Sequence, residues 1–369
     1  MDFDFSDDQV SLRDAVQRWV DKGFSFERRH ALAQAGGKTR EVYRELAELG
    51  LTGLSVAPEH GGMGFGAVEA MVVMEELGRG LVNAPYAAAA LISPALLSHG
   101  DGALQAAWLP RIADGSALVV PALHERGIRW RFDAPAASAT QTNGAWSIDG
   151  HKSLVPAGDE ADAFIVPARI GSALGLFLVE RAHANVRAYP TQDGARAADV
   201  TLSATAAQLI VADGASALEV GVDIGIAAVC AEAVGLMDKL VAVTVEYMNM
   251  RKQFGVAIAS FQALRHRIAD VKMQLELARS MSYFASLKLG MPAPQRRRAL
   301  SQAKVQLGQS MRFVGQQCIQ LHGGIGVTDE YIASHCFKRL TMLELAFGDT
   351  LHHLGEVSAR MQDSAGVFA

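Results

Sequence analysis

The sequence has few cysteines, and their spacing is not that of a metal site. Cys230, Cys318 and Cys336 are the only cysteines, and no pair has the Cys-x-x-Cys spacing, so zinc is not expected and no metal site is predicted. An odd number of cysteines, together with an acidic start (Met1–Asp8) that lacks an apolar leader core, is typical of a reducing compartment. We therefore expect a cytoplasmic protein.

The sequence also lacks an excess of positive charge and a long apolar run free of charged residues. Its formal net charge is −5, which gives no general electrostatic reason to bind nucleic acid or an anionic membrane. The most apolar stretch, Val220–Val245, contains Asp223, Glu232 and Asp238, and this pattern favours a buried helix over a membrane span. Neither nucleic acid nor a membrane is expected as a partner.

No dinucleotide-binding glycine motif and no internal repeat is found. No Gly-x-Gly-x-x-Gly follows a predicted strand, so a Rossmann-type nicotinamide site is not expected. The composition is that of an ordinary globular protein, with 369 residues of which 50% are hydrophobic and 20% are charged. Such a chain can bury a sizeable core and form two or three domains.

The hydrophobic pattern changes twice along the chain. Residues 1–115 have mostly helical spacing, and Ser6 and Gln9 are placed to cap the first helix. Residues 116–212 contain short β-type runs, with Asn143–Gly144 and Asp149–Gly150 as expected hairpin turns. Residues 213–369 are helical again, in long stretches at 215–250, 260–289, 295–321 and 329–361 that predict a four-helix bundle. The predicted class is α+β, with three domains at these bounds.

Short motifs occur in a fixed order along this pattern. The C-terminal third contains Arg251-Lys-Gln-Phe-Gly255, Gln320-Leu-His-Gly-Gly-Ile-Gly326 and Phe347-Gly-Asp-Thr350. Further upstream the chain contains Ala57-Pro-Glu-His-Gly-Gly-Met-Gly64, Ala122-Leu-His-Glu125 and Asn143-Gly-Ala-Trp-Ser-Ile-Asp-Gly-His-Lys152. In their order and spacing, these segments resemble those of the acyl-CoA dehydrogenase family.

The resemblance implies a fold, a cofactor and a reaction. The fold has an N-terminal helical domain, a central β-barrel-like domain and a C-terminal four-helix domain. The reaction is α,β-dehydrogenation of an acyl-CoA thioester, in which a carboxylate removes the α-proton and the β-hydride passes to FAD. Arg251 matches the arginine that reaches the FAD diphosphate of a neighbouring subunit, where a guanidinium can bind two phosphate oxygens. The other positions that match the family's FAD contacts at the adenine and diphosphate end are Gln253, Phe254, Gln320, Gly323, Gly324, Thr350 and His352.

The family's catalytic carboxylate is missing from both of its usual positions. Gly348 stands where the family commonly has its glutamate, and Gly225 stands at the alternative position on an earlier helix. Glu232 and Asp349 are the nearby candidates for a base. Glu232 has the competing interpretation of a buried, paired acid, and Asp349 that of a helix cap or ion pair. The identity of the catalytic base is left unknown.

The positions expected at the flavin ring also depart from the family. Leu123, His124, Leu154 and Pro156 match this end of the cofactor, but His124 replaces a threonine. Leu154 and Pro156 replace an aromatic and a hydroxyl residue, and their side chains form no hydrogen bonds. Backbone N–H groups could substitute, except at Pro156, which has none. We expect an altered ring end and an intact adenine end.

This combination resembles the small, degenerate subunit of heteromeric acyl-CoA dehydrogenases such as the pimeloyl-CoA type. We expect a dehydrogenase subunit in a homo- or heterotetramer with a homologous chain, with an acyl-CoA substrate and electron-transfer flavoprotein as electron acceptor. The alternative is a catalytically inactive interaction subunit that completes the FAD site of a homologous partner. A relative that uses oxygen as oxidant is a third hypothesis. The sequence leaves open which acyl-CoA is bound.

Overall fold

The computed structural model describes residues 5–361, so the first four residues of the acidic start lie outside it. The chain divides into two compact units. The bundle unit contains the residues up to Arg29, Ala67–Val82 and those from Ile226 onward. The sheet unit contains His30–Gly66 and Asn83–Gly225. The domain bounds at 115 and 212 stay a prediction.

Helices occupy both ends of the described chain. In α9, Ala299, Ala303, Leu307 and Met311 are buried at helical spacing, as in a helix that packs on one face. The α-helices are α1 (Asp7–Gly23), α2 (Phe26–Gln34), α3 (Arg40–Glu48), α4 (Ala67–Arg79), α5 (Ser93–Leu97, preceded by the π-helical turn Ala87–Ile92), α6 (Gly102–Ala113), α7 (Ala215–Met250), α8 (Gln262–Lys288), α9 (Ala293–His322), α10 (Ile332–Leu345) and α11 (Thr350–Met361).

The capping box predicted for the first helix is confirmed. The Gln9 N–H donates to Ser6 Oγ over 3.3 Å, and the Ser6 N–H donates to the Gln9 side chain over 3.0 Å. These two bonds satisfy backbone donors that the first turn of a helix leaves unpaired.

The sheet unit holds a seven-stranded sheet that closes on itself. Pairing runs from β4 through β2, β3, β7 and β5 and returns to β4, with β1 beside β4 and β6 beside β7. The strands β1 and β2 pair with β4 in parallel, and the other pairs are antiparallel. This circuit confirms the barrel-like middle region. The strands are β1 (Val119–Pro121), β2 (Ser138–Thr142), β3 (Ala145–Pro156), β4 (Ala163–Ile170), β5 (Ala173–Glu180), β6 (Asn185–Pro190) and β7 (Arg196–Val211).

One of the two predicted hairpin turns is present and the other is wrong. Asn143 and Gly144 join β2 to β3 with φ of 52° and 84°, the left-handed conformation that such turns need. Asp149 and Gly150 instead lie inside β3, because the pairing of β3 with β7 continues across them with a shift of register. The Asp149 carboxylate accepts the Ala204 N–H on β7.

The stretch 329–361, predicted as one helix, is two helices. Helix α10 ends at Leu345 and α11 begins at Thr350. Between them Phe347 and Gly348 have φ of 56° and 117°, which no right-handed helix contains. The break matters because it falls on the motif expected to carry the catalytic glutamate.

Helix α7 is long and apolar enough to cross a membrane. Its most apolar window has a mean hydropathy of 1.8, and 89% of that window is buried. A core helix of a globular protein has these properties, and its burial agrees with the predicted buried helix.

Candidate functional site

A buried lysine forms hydrogen bonds with the turn between α10 and α11. The Lys304 ammonium on α9 donates to the carbonyls of Glu344, over 2.6 Å, and Gly348, over 2.8 Å. Its side chain is fully buried, and burial lowers the lysine pKa to about 8. The two hydrogen bonds of Lys304 fix the backbone around Gly348. None of the sequence motifs includes this lysine.

Gly348 has no room for a side chain. A Cβ atom built there would lie 2.5 Å from His352 Cδ2 and 2.7 Å from His353 Nε2. The imidazole of His353 is held in place, since its Nε2 lies 3.1 Å from the Phe347 carbonyl and its Nδ1 lies 3.3 Å from Ser301 Oγ. Burial lowers the pKa of His353 to about 3, so this ring is neutral near pH 7. Two imidazoles therefore fill the space next to the position where the family has its carboxylate.

Asp349 and Glu232 both use their carboxylates in structural contacts. Asp349 Oδ1 accepts the His352 N–H over 2.8 Å at the start of α11, which is a helix-cap contact. Glu232 on α7 is buried and accepts from Arg339 Nε over 2.6 Å. Gly225 lies within α7 and has no side chain to act as a base. A free carboxylate is thus absent at Gly348 and Gly225, and the two neighbouring acids are paired.

Thr350 packs against the middle of α9. Its N–H and hydroxyl both donate to Glu344 Oε1, over 3.0 and 2.7 Å. A Cβ atom on Gly308 would lie 2.1 Å from Thr350 Oγ1, so glycine is needed there for the approach. His352 follows on α11, and burial lowers its pKa.

Arg251, Gln253 and Phe254 lie on an exposed hairpin. The short strands β8 (Lys252–Gln253) and β9 (Val256–Ala257) pair across a tip formed by Phe254 and Gly255, whose φ values are 52° and 82°. The Phe254 side chain is 92% exposed. Arg251 is also exposed and forms no ion pair within the described residues. An exposed cation beside an exposed aromatic ring can bind a phosphate and a planar base.

The Gln320–Gly324 segment lies next to that hairpin. Met248 and Ile258, which flank the hairpin, pack against Leu321 in one apolar cluster. Cβ atoms on Gly323 and Gly324 would meet nothing within 4 Å, so the backbone at the end of α9 is open to a ligand or to another chain. The structure thus brings the hairpin and the glycine segment together.

Thr350 is far from this segment within one chain. Thr350 packs on Gly308, and Gly323, which follows the last residue of α9, is fifteen residues further along the chain, about 22 Å at the helical rise. The two sets of residues that were predicted to contact the adenine end of FAD therefore lie at separate places on the chain.

The residues predicted for the flavin ring meet in the sheet unit. The Ser153 N–H donates to the His124 carbonyl over 2.8 Å, which places Leu123 and His124 beside Leu154 and Pro156. Leu154 is half exposed with φ of 54°, at a point where β3 shifts its register against β7. The His124 ring contacts Phe132 edge-on, and burial lowers its pKa.

The backbone donors expected to substitute at this end are already used. The Leu154 N–H donates to the Tyr189 hydroxyl over 3.1 Å, and Ser153 donates to His124. Tyr189 in turn lies 3.2 Å from Asp199. The N–H groups of Ser153 and Leu154 therefore already have acceptors within the chain, in His124 and Tyr189, and a role of backbone N–H groups at the flavin stays a prediction.

A buried ion pair supports the same region. Lys152 Nζ lies 2.6 Å from Glu125 Oε1 and donates to the Pro167 carbonyl over 2.8 Å. Glu125 also accepts the N–H groups of Ala136 and Ala137. The last residues of two sequence motifs thus tie β3 to the loop before β2, and their role is structural.

The two ends of the predicted cofactor site differ in fit. The hairpin and the open glycines offer an exposed guanidinium and accessible backbone, which fit the diphosphate and adenine of FAD. At the ring end, the N–H groups of Ser153 and Leu154 already have acceptors and Pro156 has no N–H, so these three residues offer no free backbone donor to the hydrogen-bonding edge of the flavin.

Along the chain, a helical region, a closed sheet and a second helical region follow one another, as the resemblance to the acyl-CoA dehydrogenase family implies, and comparison with known proteins agrees. Models of the acyl-CoA dehydrogenase N-terminal and C-terminal domains match residues 6–116 and 212–362. The chain is 30% identical to acyl-CoA dehydrogenase IpdE2 of Mycobacterium tuberculosis, over 84% of this chain and 83% of that protein. It is 25% identical to acyl-CoA dehydrogenase FadE27 of the same organism, over 99% and 100%.

A solved structure gives the same result for the fold. The ChsE4–ChsE5 complex from Mycobacterium tuberculosis superposes with a TM-score of 0.90 at 24% identity, covering 99% of this chain and 100% of that one. The chain belongs to the acyl-CoA dehydrogenase family. Members of this family are FAD-dependent oxidoreductases that act on CH–CH groups.

Proposed function

We propose that this chain is the base-less subunit of a heteromeric acyl-CoA dehydrogenase and completes the FAD site of a homologous partner chain. The observation that carries the proposal is the closed space at Gly348. His352 and His353 lie within 2.5 to 2.7 Å of the place where a side chain would start, and Lys304 fixes the Gly348 carbonyl. A carboxylate side chain cannot stand there unless these imidazoles move.

Desaturation needs a base that this chain does not supply. Removal of a weakly acidic α-proton requires a carboxylate in a dry pocket near the substrate. Asp349 caps α11 and Glu232 pairs with Arg339, so neither is free for that task. The base therefore comes from the homologous chain, and this chain acts by binding and orienting.

The residues of this chain that would hold FAD are those at its open end. Arg251 would bind the diphosphate, Phe254 would contact the adenine, and the backbone at Gly323 and Gly324 would approach the diphosphate closely. When bound, FAD supplies the acceptor for the β-hydride. The N–H groups of Ser153 and Leu154 already have acceptors within this chain. This supports a site in which the partner chain binds the flavin ring.

The distance along α9 supports a site shared between chains. About 22 Å of helix separates Gly308, which contacts Thr350, from Gly323. At that separation, Thr350 and the Gln320–Gly324 segment of one chain cannot both contact the adenine end of the same FAD. One set would serve one FAD and the other set a second FAD, each completed by a neighbouring chain.

Similarity to a complex of two chains supports a homologous chain as the partner. The ChsE4–ChsE5 structure is a complex of two chains, and this chain has the same fold. We propose a heterotetramer with a homologous acyl-CoA dehydrogenase chain, in the cytoplasm, with an acyl-CoA as substrate and electron-transfer flavoprotein as acceptor. The alternative of an inactive interaction subunit differs only in whether this chain's site contributes to turnover.

The test is co-expression with a homologous chain that carries the glutamate. We expect the purified complex to contain flavin and to be bleached by an acyl-CoA under anaerobic conditions. Arg251→Ala in this chain should lower the flavin content, because the guanidinium contact to the diphosphate is lost. Arg44→Ala, at an exposed arginine of α3, is the matched control. Equal flavin content in both variants would contradict the proposed role of Arg251.

A further inference from the structure

The base of the exposed hairpin holds a second arginine besides Arg251. Ile258 and Ala259 follow β9 directly, in a short 3-10 turn. The Ile258 N–H donates to the Arg251 carbonyl over 2.8 Å, and the Ala259 carbonyl accepts from Arg265 Nε over 2.6 Å. Two neighbouring residues of one turn therefore bind the backbone of Arg251 and the guanidinium of Arg265.

The hydrogen bond through Nε leaves the far end of the Arg265 guanidinium open to a ligand. Arg265 is exposed, and its Nη1 and Nη2 groups have no partner within the described residues. The bond to Ala259 fixes the direction of the planar group. The two Nη groups are the ones with which a guanidinium binds two oxygens of one phosphate.

The start of α8, which contains Arg265, contacts both parts of the site proposed for FAD. The Arg265 N–H donates to the Phe261 carbonyl over 3.1 Å, and the Phe261 ring meets the Phe254 ring of the hairpin tip edge-on, with 6.1 Å between the ring centroids. Leu264 packs against the apolar cluster that contains Leu321 of the glycine segment. Arg265 is therefore part of the same surface region as the hairpin and the open glycines.

This region has an excess of positive charge. Between positions 246 and 270 the chain has four lysine or arginine residues, and its two acids there are Glu246 and Asp270. Within the part of the chain that the structure describes, none of the six forms an ion pair. The four positive residues are Arg251, Lys252, Arg265 and Arg267. The diphosphate of FAD carries two negative charges, so a single guanidinium at Arg251 leaves one of them unmatched.

Of the other three cations, Arg265 is the one placed to share a ligand with Arg251. Lys252 follows Arg251 at the start of β8, and neighbouring side chains of a strand point to opposite faces. Arg267 lies two residues after Arg265 on α8, which places it about 200° further around the helix axis. Lys252 and Arg267 thus face away from the ligand that Arg251 and Arg265 would share.

We infer that Arg265 binds the FAD diphosphate together with Arg251, with one guanidinium for each phosphate charge, when this chain completes the FAD site of its partner. The inference rests on the proposed function and names a further residue of that site. Two exposed cations make the affinity for FAD depend on salt more strongly than one cation would, because dissolved ions screen exposed charges.

The experiment measures the dissociation constant for FAD of the flavin-depleted complex with a homologous chain that carries the glutamate, by the change in flavin fluorescence at several salt concentrations. Arg265→Gln removes the charge at an exposed position. We expect it to weaken FAD binding about tenfold, through the loss of one charge-assisted contact. The dissociation constant should also depend less on salt, which a purely structural role of Arg265 would not cause.

Arg267→Gln is the matched control on the same helix, and we expect the FAD affinity and salt dependence of the unchanged complex. Equal results for Arg265→Gln and Arg267→Gln overturn the assignment of Arg265. So does a weaker affinity in Arg265→Gln with unchanged salt dependence. Arg251→Ala separates this failure from that of the proposed function: if it too binds FAD as the unchanged complex does, the shared FAD site itself is contradicted.

Discussion

Gly348 has a backbone conformation that suits glycine, and its neighbours occupy the space that a side chain needs. Its φ is 117°, and His352 and His353 lie within 3.0 Å of the position of a Cβ atom. We predict that Gly348→Glu lowers the free energy of unfolding by about 2 kcal/mol or more. It should create no dehydrogenase activity in the chain alone, because the new carboxylate has no room to reach a substrate. Urea unfolding and an acyl-CoA assay measure both effects.

Gly355→Ala is the control for that variant. Gly355 lies within α11, and a Cβ atom there would meet nothing within 4 Å. Alanine in a helix interior should stabilise the chain by about 0.5 to 1 kcal/mol relative to glycine. If Gly348→Glu is as stable as Gly355→Ala, the space at Gly348 is not closed.

His353 should make the stability of the chain depend on pH below about 6.5. Burial lowers its pKa to about 3 in the folded chain, whereas an unfolded histidine titrates near its ordinary value. Between these values the unfolded state binds more protons, so stability falls as the pH decreases. The contribution reaches about 1.4 kcal/mol per pH unit.

We predict that His353→Gln reduces the slope of unfolding free energy against pH between about 4 and 6. His99→Gln, at an exposed histidine, should keep the slope of the unchanged chain. Chemical unfolding at a series of pH values measures it. An identical slope in both variants would show that His353 is accessible to protons in the folded state.

At the scale of elements, the irregularity in β3 lies at the residues predicted to contact the flavin ring. The Tyr189 hydroxyl on β6 accepts the Leu154 N–H and also contacts Asp199. We predict that Tyr189→Phe lowers the free energy of unfolding by about 1 kcal/mol, since one backbone donor loses its partner. Thermal unfolding measures this effect. Tyr283→Phe, on α8 in the bundle unit, is a comparison variant that removes a hydroxyl without freeing a β3 donor.

The elements were predictable where a local pattern determines them. The capping box at Ser6 and Gln9 and the turn at Asn143–Gly144 follow from short-range hydrogen bonds and φ preferences, and both were found. Asp149–Gly150 has the same turn residues but lies inside β3, because β7, some fifty residues later, pairs across it. A partner that is distant in sequence decided the outcome there.

The break between α10 and α11 was missed for a similar reason. The apolar spacing continues across 329–361, and only Gly348 interrupts it. The turn is stabilised by Lys304 on another helix, which no motif indicated. The motifs also located Arg251 and Gly323. They do not include Tyr189, whose hydroxyl accepts the Leu154 N–H, so the sequence did not indicate this contact.

At the scale of the whole molecule, the residues predicted to contact the cofactor lie at distant places on one chain. The hairpin at Arg251 lies near the glycine end of α9, and Thr350 lies near its middle. The imidazoles of His352 and His353 fill the space next to Gly348, where the family commonly has its glutamate. The central claim of the proposed function is that such a chain holds part of a flavin site and does not complete the reaction alone.

The most direct measurement is an anaerobic absorption spectrum of the purified chain, alone and then in complex with a homologous chain that carries the glutamate, after addition of a panel of acyl-CoA thioesters. We predict that the chain alone, with FAD added, shows no bleaching of flavin by any thioester, and that the complex is bleached by at least one. Bleaching of the chain alone would contradict the claim, because it would mean that a competent base exists within this chain.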